Sequence, residues 1–323
     1  MKKILLIDAD SKIPNLALMK LSTYYKTKGN VTLKQLGISF YKPKRVEVEA
    51  YGYDRVIASF VFKGTNNVCK IKHDSLLMIG GSGYSLTRKL PDFIERLSPD
   101  YSIYPDNEIS YGFITRGCIR HCKFCIVPEK EGWIHRVNSI SDIVQHKKTE
   151  FLDANILAYE HHKDIFEELI DKKVRCRFGQ GLDIRLVNYE NAELISRLNY
   201  WGNLTFAFDN IRHKIRINQK LKILNHYIKQ DWKIRFFIYC HPSMSIKNDV
   251  LFRIMWCRRN KVLPYLMRDK SCYSDPNHRL YVDLAAWCNQ PSFFKKMSFS
   301  EFLEKRYSKN KERVHQEKKL TLV

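Results

Sequence analysis

The sequence lacks any apolar run long enough to cross a membrane. Its 323 residues contain no stretch of about 18 consecutive apolar side chains, which is the length a membrane-spanning helix needs. The apolar residues after Lys3 resemble the start of a secretory signal peptide, but the run is too short and ends at Asp8. We therefore expect neither a membrane span nor a secretory leader.

Cysteine is sparse outside one short segment. Six of the nine cysteines lie far apart: Cys69, Cys176, Cys240, Cys257, Cys272 and Cys288. Disulfide frameworks belong to oxidising compartments, whereas scattered cysteines suit reduced thiols. This distribution predicts a cytoplasmic protein.

Acidic residues are few compared with basic ones. The chain has 56 Lys and Arg against 34 Asp and Glu, a net charge of +22. Residues 211–323 alone hold 25 basic and 9 acidic residues. Such asymmetry is typical of a surface for nucleic acid or another polyanion. A solvated Lys-rich surface is the alternative, and composition alone does not separate the two.

The remaining three cysteines form a compact motif, Cys118-x3-Cys122-x2-Cys125. One short loop can bring three thiolates to one metal centre but supplies no fourth. Iron–sulfur clusters are held by Cys thiolates, usually four. A cubane cluster held by three would leave one iron open to a small ligand, and chemistry could occur there.

Two other interpretations of the motif stay open. Structural zinc usually needs four ligands in two close groups. The chain has no second cysteine pair, and His121 is poorly spaced to serve the same ion. Alternatively, the cysteines are unrelated buried side chains. The neighbouring Arg116, Arg120, His121 and Lys123 instead make an electropositive loop, which favours thiolate.

The motif, with Phe124 just before its last cysteine, resembles the signature of the radical S-adenosylmethionine (radical SAM) enzymes. The resemblance implies a [4Fe–4S] cluster on Cys118, Cys122 and Cys125, with S-adenosylmethionine (SAM) chelating the fourth iron. An electron from a flavodoxin- or ferredoxin-like donor would then cleave SAM to methionine and a 5′-deoxyadenosyl radical. By the same resemblance, Phe124 would lie near the adenine.

Two branches of this superfamily are partly similar to the chain. The stretch from Thr115 to Pro128 resembles the cysteine loop of the methylthiotransferases and of cobalamin-domain enzymes. Methylthiotransferases carry three further cysteines in the N-terminal domain, but residues 1–117 contain only Cys69. The axial-ligand motif Asp-x-His-x-x-Gly of cobalamin binders is replaced by residues 8–13, which have neither His nor Gly. Sulfur transfer is therefore disfavoured, and cobalamin is not expected.

Alternating strand and helix patterns predict an α/β fold. Residues 1–105 are expected to form a small open Rossmann-like domain similar to the cobalamin-binding type. Residues 106–270 are expected to form six βα units, a parallel (βα)6 partial TIM-type barrel with its site at the carboxyl ends of the strands. This matches the radical SAM fold. Residues 271–323 are expected to form a basic C-terminal extension with a short helix from Glu301.

Polar residues follow several predicted strands. By resemblance, Asp153 and Asn155 lie where the family contacts the SAM amino group, and Gln180, Asp183 and Arg185 where it contacts the ribose and carboxylate. A helix cap or ion pair is the alternative role for Asp183 and Arg185. For Asp209 a ligand contact and a helix cap are both open, and His241 either shuttles a proton or forms a plain turn.

Together these features predict a cytoplasmic radical SAM enzyme whose substrate the sequence leaves unidentified. The basic C-terminal third makes nucleic acid a candidate substrate or partner. The alternative function is a non-catalytic iron–sulfur protein that binds nucleic acid. SAM cleavage separates the two.

Overall fold

The structure is a computed structural model that describes residues 1–308. The chain divides into two compact units, Met1–Asp153 and Ala154–Val323. The predicted domain boundary after residue 105 lies inside the first unit. Both units are mixed α/β with mostly parallel strands, as the sequence predicts, and the sheets formed by residues 1–308 include no closed barrel.

The first unit is built on a four-stranded parallel sheet of order β2-β1-β4-β6, with smaller β3–β5, β7–β10 and β8–β9 pairs. Only β8 and β9 are antiparallel among these pairs. In chain order its elements are β1 (Lys2–Asp8), α1 (Leu16–Lys26), β2 (Gly29–Gln35), β3 (Val46–Ala50), β4 (Arg55–Ser59), β5 (Cys69–His73), β6 (Leu76–Gly80), α2 (Asp92–Glu95), β7 (Ile109–Gly112), β8 (Thr115–Arg116), α3 (Val127–Lys130), β9 (His135–Arg136), α4 (Ile140–Ile143) and β10 (Lys148–Phe151).

Strand β1 is buried on both faces, which explains its continuous apolar run. Ile4 and Leu6 pack in a cluster with residues of α1, including Leu18. Leu5 and Ile7 pack in a second cluster with Val48 and Ala50 of β3, among others. The hydrophobic core of this unit therefore lies on both sides of the sheet.

The second unit contains the parallel sheet β12-β13-β14, and isolated parallel bridges join the β11 segment to the β12 segment. Alternate residues of β13 are buried, from Ile234 to Cys240, as expected for a strand with one face against helices. The elements are α5 (His162–Asp171), β11 (Cys176–Phe178), α6 (Tyr189–Arg197), β12 (Leu204–Ala207), α7 (Lys214–Tyr227), β13 (Ile234–Cys240), α8 (Phe252–Arg259), β14 (Leu263–Arg268), α9 (His278–Cys288), α10 (Pro291–Lys296) and α11 (Phe299–Arg306).

The described part of the C-terminal extension packs as helices. Phe294 is fully buried and its ring lies 5.2 Å from that of Trp287, so it is a packing residue. The helix expected from Glu301 is α11, and Ser298 and Glu301 form a capping box at its start. The rest of the predicted extension, residues 309–323, lies outside the described residues. None of the helices within residues 1–308 has both the length and the apolar composition needed to span a bilayer.

Candidate functional site

The three motif cysteines lie on the loop that leaves β8 and enters α3. Cys118 and Cys122 are half-buried, and Cys125 is exposed. A tight turn brings the last two together along the chain, because Cys125 N donates to Cys122 O at 2.9 Å. This loop belongs entirely to the first unit.

Backbone N–H groups donate to two of the motif sulfurs. Arg120 N lies 3.3 Å from Cys118 Sγ, and Val127 N lies 3.5 Å from Cys125 Sγ. An N–H donor to a cysteine sulfur is the kind of contact that would tune a cluster bound there. The donor set thus fits an iron–sulfur group in its chemistry. Within residues 1–308, however, no three or more His, Cys, Asp or Glu side chains are grouped closely enough to hold a metal ion.

Gly117 sets the entry to the cysteine loop. Its φ is +86°, a region that side-chain-bearing residues rarely adopt. A Cβ atom at this position would lie 2.2 Å from the carbonyl oxygen of Trp133. The close approach also lets Cys118 N donate to Gly132 O at 3.1 Å. Only glycine therefore permits this path of the backbone into Cys118.

An ionic bracket holds the two ends of the loop together. The two carboxylate oxygens of Glu131 accept hydrogen bonds from the Arg116 side chain and from Gly117 N, both at 3.1 Å. Arg116 also donates to Glu95 at 3.0 Å, and Lys20 pairs with the same carboxylate at 3.1 Å. We call the side chains Lys20, Glu95, Arg116 and Glu131 the loop bracket. Because charges alternate along it, each buried or half-buried cation faces a carboxylate.

Both carboxylate oxygens of Asp153, a predicted SAM residue, accept hydrogen bonds from the residues just before the cysteine loop. One oxygen accepts from Thr115 N at 2.5 Å and from Thr115 Oγ1 at 2.7 Å, and the other accepts from Ile114 N at 3.2 Å. Burial nevertheless raises the pKa of this carboxyl to about 6. Asp153 therefore positions the strand that leads to Cys118, and a contact with SAM stays a prediction.

Lys130 connects the end of α3 to the glycine-rich turn after β6. Its Nζ donates to Ser82 Oγ at 2.6 Å, and burial lowers the pKa of this ammonium. Within that turn, a Cβ at Gly81 or Gly83 would clash with the backbone of the segment after β4, at 2.2 and 2.3 Å. These glycines permit close packing of the chain on itself.

The other predicted SAM contacts fall in different places. Phe124 lies in the first unit with 40% of its surface exposed. Asn155, Gln180, Asp183 and Arg185 lie in the second unit; Asn155 is buried at the start of a 3-10 turn, and Gln180 is exposed. Their contact with a ligand stays a prediction.

Asp183 and Arg185 form the cap and ion pair that the sequence left open as their alternative role. Asp183 Oδ1 accepts from Arg185 N at 3.1 Å and from Nε at 2.7 Å, while Oδ2 accepts from Nη2 at 2.9 Å. The Arg185 guanidinium also reaches His213 Nδ1 at 3.4 Å. A ligand carboxylate at Arg185 would have to share this guanidinium with Asp183.

Asp209 and His241 lie just beyond the carboxyl ends of β12 and β13. Asp209 accepts from Tyr239 N at 3.0 Å, and burial raises the pKa of this carboxyl. The cap position beside it belongs to Asn210, which accepts from Arg212 N. His241 Nδ1 accepts from Ser243 N at 3.1 Å, which is consistent with the plain turn.

Arg253 is a buried charge that the sequence analysis did not identify. Its Nη1 donates to the carbonyl oxygens of Phe208 and Tyr239 at 2.9 and 3.0 Å, and its Nε donates to Asp249 at 2.5 Å. It therefore joins the ends of β12 and β13. The spacing of Asp249 and Arg253, one helical turn apart, was the available signal. Glu131 was also missed. Its position just after a cationic cysteine loop was the available signal, because an acidic side chain there can pair with the cations of the loop.

No protein-family model matches the chain, and a search of curated proteins returns no match.

Proposed function

We propose that this protein is a radical SAM enzyme. In this proposal Cys118, Cys122 and Cys125 hold a [4Fe–4S] cluster, and SAM binds at its open iron. When bound, the group supplies one-electron cleavage of SAM to a 5′-deoxyadenosyl radical. Residues 106–270 are proposed to form the partial barrel of that superfamily. The substrate is unidentified, with nucleic acid as the candidate class.

The observation that carries the proposal is the Cys-x3-Cys-x-Phe-Cys sequence on a loop whose N–H groups donate to two of its sulfurs. Thiolate is the form that binds iron, and its formation needs stabilisation of negative charge. Arg120 and Lys123 add positive charge within the same turn. These features support metal binding better than they support three unrelated packing cysteines.

The protein's own side chains would hold this loop in place before the cluster binds. Glu131 binds the backbone at Gly117, one residue ahead of Cys118, and Asp153 binds the backbone at Thr115. Preorganised ligands lose less conformational freedom when a metal group binds. We propose that the loop bracket and Asp153 act as positioning residues for the cluster ligands.

Cobalamin is not part of the proposal. Asp8 and Asp10 lie where the axial-ligand motif would be, and both carboxylates accept hydrogen bonds from residues of the same domain. Asp8 accepts from the hydroxyl of Tyr104 at 2.7 Å, and Asp10 accepts from Val61 N at 2.7 Å and Thr65 Oγ1 at 2.6 Å.

Anaerobic reconstitution with iron and sulfide tests the metal site. We expect about four irons and four sulfides per chain, a reducible cluster, and a changed electron paramagnetic resonance spectrum when SAM is added. The variant Cys122→Ala should lose the cluster, while Cys69→Ala, a half-buried cysteine outside the motif, should retain it. Equal iron loading of both variants would refute the assignment of the cysteines.

The alternative, a non-catalytic iron–sulfur protein that binds nucleic acid, has one supporting observation in the charge excess of residues 211–323. It predicts the same cluster and the same spectrum in the absence of SAM. A spectrum that SAM leaves unchanged, together with no SAM cleavage, would favour it.

A further inference from the structure

Helix α7 lies in a segment without acidic residues. Residues 210–230 contain six Lys and Arg and no Asp or Glu. The helix buries Ile217, Leu221 and Leu224, which fixes which side faces the core. The other sides carry the basic residues, and opposite charges that usually accompany lysines on a solvated helix are missing here.

The flank of α7 that faces α8 carries alternating cations and amides. Lys214, Asn218, Lys222 and Asn225 follow one another at helical spacings of four, four and three residues. The contact with α8 is direct, because Trp256 Nε1 donates to Asn218 Oδ1 at 2.6 Å. Lys229 continues the row just beyond the helix.

Two cations from neighbouring helices converge on one ring in this flank. Lys214 Nζ lies 5.1 Å and Arg259 Cζ lies 5.5 Å from the centre of the Phe252 ring. Within residues 1–308 neither side chain forms an ion pair with a carboxylate. The carboxylates of Asp249 and Asp231 form ion pairs with other cations, Arg253 and Lys261 respectively. The flank therefore concentrates positive charge that the described chain does not neutralise.

A polar cavity lies at the far end of the same flank. It has a volume of about 170 Å³ and is lined in part by Asn225, Lys229, Asn260 and Lys261, and also by Asp231, the ion-pair partner of Lys261. Amide and ammonium groups are donors suited to phosphate oxygens. The row of donors thus continues from the start of α7 into this cavity. We call Lys214, Asn218, Lys222, Asn225, Lys229 and Arg259 the α7–α8 basic face.

We propose that the α7–α8 basic face binds the sugar–phosphate backbone of a nucleic acid. At a rise of 1.5 Å per residue, Lys214 and Lys229 are separated by roughly 20 Å along the helix direction, enough for several phosphates in a row. Phosphate contacts of this kind give affinity without sequence preference. Phe252 is half-buried and covered by the two cations, so it is not the exposed aromatic anchor that a protein partner would use, although Ile215 of α7 is 70% exposed.

The test is a salt titration of binding, with the intact protein and fluorescent 20-nucleotide RNA and DNA strands. Each lost phosphate contact lowers the slope of log K against log salt by about 0.7 for single strands, or about fivefold in affinity at 0.1 M salt. The double variant Lys222→Ala/Arg259→Ala should therefore bind about 25-fold more weakly at that salt, with a slope smaller by about 1.4. Comparing the RNA and DNA strands tells which nucleic acid is preferred.

The matched control is Arg216→Ala/Lys220→Ala, which removes the same charge from the opposite flank of α7. It should keep most of the affinity and the slope. In the variant Lys222→Arg/Arg259→Ala, the charge at position 222 is restored, and the binding lost with Lys222 should return. This result separates an effect on binding from one on folding. Equal losses in both double variants, or no salt-dependent binding by the unmodified protein, would overturn the proposal. The assay needs no cluster or SAM, so its outcome is independent of the proposed enzyme activity.

Discussion

Asp153 accepts a 2.5 Å hydrogen bond from the backbone N–H of Thr115, three residues ahead of the first motif cysteine. A carboxylate that follows one strand thus fixes the residue that begins the neighbouring cysteine loop. Since Asp153 is almost completely buried, this contact exists in a low-dielectric setting where each lost hydrogen bond is costly.

Replacing Asp153 with Asn should destabilise the protein and weaken cluster loading. The amide has one oxygen acceptor and its NH2 group would face the N–H of Ile114 or Thr115, so one or more buried donors would be unpaired. We expect a loss of about 1–3 kcal/mol in unfolding free energy. Chemical denaturation of the full chain measures it. Thr115→Val, which removes only the hydroxyl donor, should cost less; a larger loss in that control would contradict the assignment.

The same carboxyl predicts a pH dependence. Its pKa of about 6 lies above the ordinary value of 3.8, so the folded chain keeps a proton that the unfolded chain loses. Its contribution to stability therefore falls as pH rises from about 4 to about 6 and is constant outside that window. The difference in melting temperature between the native protein and Asp153→Asn should change across this window. A constant difference would show that the carboxyl titrates normally.

Glu131→Gln should impair the loop bracket. The change removes the charge that faces Arg116 and weakens a charge-assisted hydrogen bond to Gly117 N, for an expected cost of about 1.5–3 kcal/mol. We expect less iron bound after reconstitution. The control is Glu129→Gln, an exposed residue of helix α3 just before Glu131, and this variant should bind iron normally. Equal iron content in the two variants would show that the bracket does not position the loop.

Gly117→Ala and Gly132→Ala separate backbone strain from a steric clash. Both glycines have positive φ, +86° and +75°, so each alanine should cost about 1–2 kcal/mol in conformational strain. A Cβ at Gly117 would also strike the Trp133 carbonyl, whereas one at Gly132 meets nothing within 4 Å. Gly117→Ala should therefore abolish cluster loading, and Gly132→Ala should reduce thermal stability only. Similar iron content in both would contradict the described path of the loop.

Sequence patterns identified most of the strands and helices that are buried on one face or on both faces. The apolar runs at residues 2–7, 54–59 and 204–209 have the composition of buried strands, and they are β1, β4 and β12 within a few residues. Strands β3 and β5 were missed, because Val46–Ala50 and Cys69–His73 are short, charge-rich and pair only with each other. The sequence pattern of residues 246–259 is that of one continuous helix, but this segment begins with a π-helical turn, Ile246–Leu251, ahead of α8.

The candidate site was predictable only where one residue type determines the chemistry. The cysteine spacing is legible in the sequence, and the cap and ion pair of Asp183 with Arg185 was one of the two roles the sequence left open. The partners of Asp153 are groups of Ile114 and Thr115, which are distant along the chain and which no sequence pattern specifies. Arg253 was missed because its burial depends on two carbonyl oxygens at strand ends distant along the chain.

Arg253→Met should be strongly destabilising. Loss of the guanidinium removes the Arg253 donor from the carbonyl oxygens of Phe208 and Tyr239 and the cation from Asp249, for an expected cost of about 3–5 kcal/mol. Arg259→Met, on the exposed side of the same helix, should change stability by less than about 0.5 kcal/mol. Denaturant unfolding of both variants measures the difference. A cost below about 1 kcal/mol for Arg253→Met would show that solvent reaches this site.

The most direct test of the proposed function is the formation of 5′-deoxyadenosine. The reconstituted protein would be reduced anaerobically and incubated with SAM, with and without RNA or DNA strands, beside Cys122→Ala and Cys69→Ala. The account predicts 5′-deoxyadenosine from the native protein and Cys69→Ala and none from Cys122→Ala. A fully formed cluster that neither binds nor cleaves SAM under any of these conditions would contradict it.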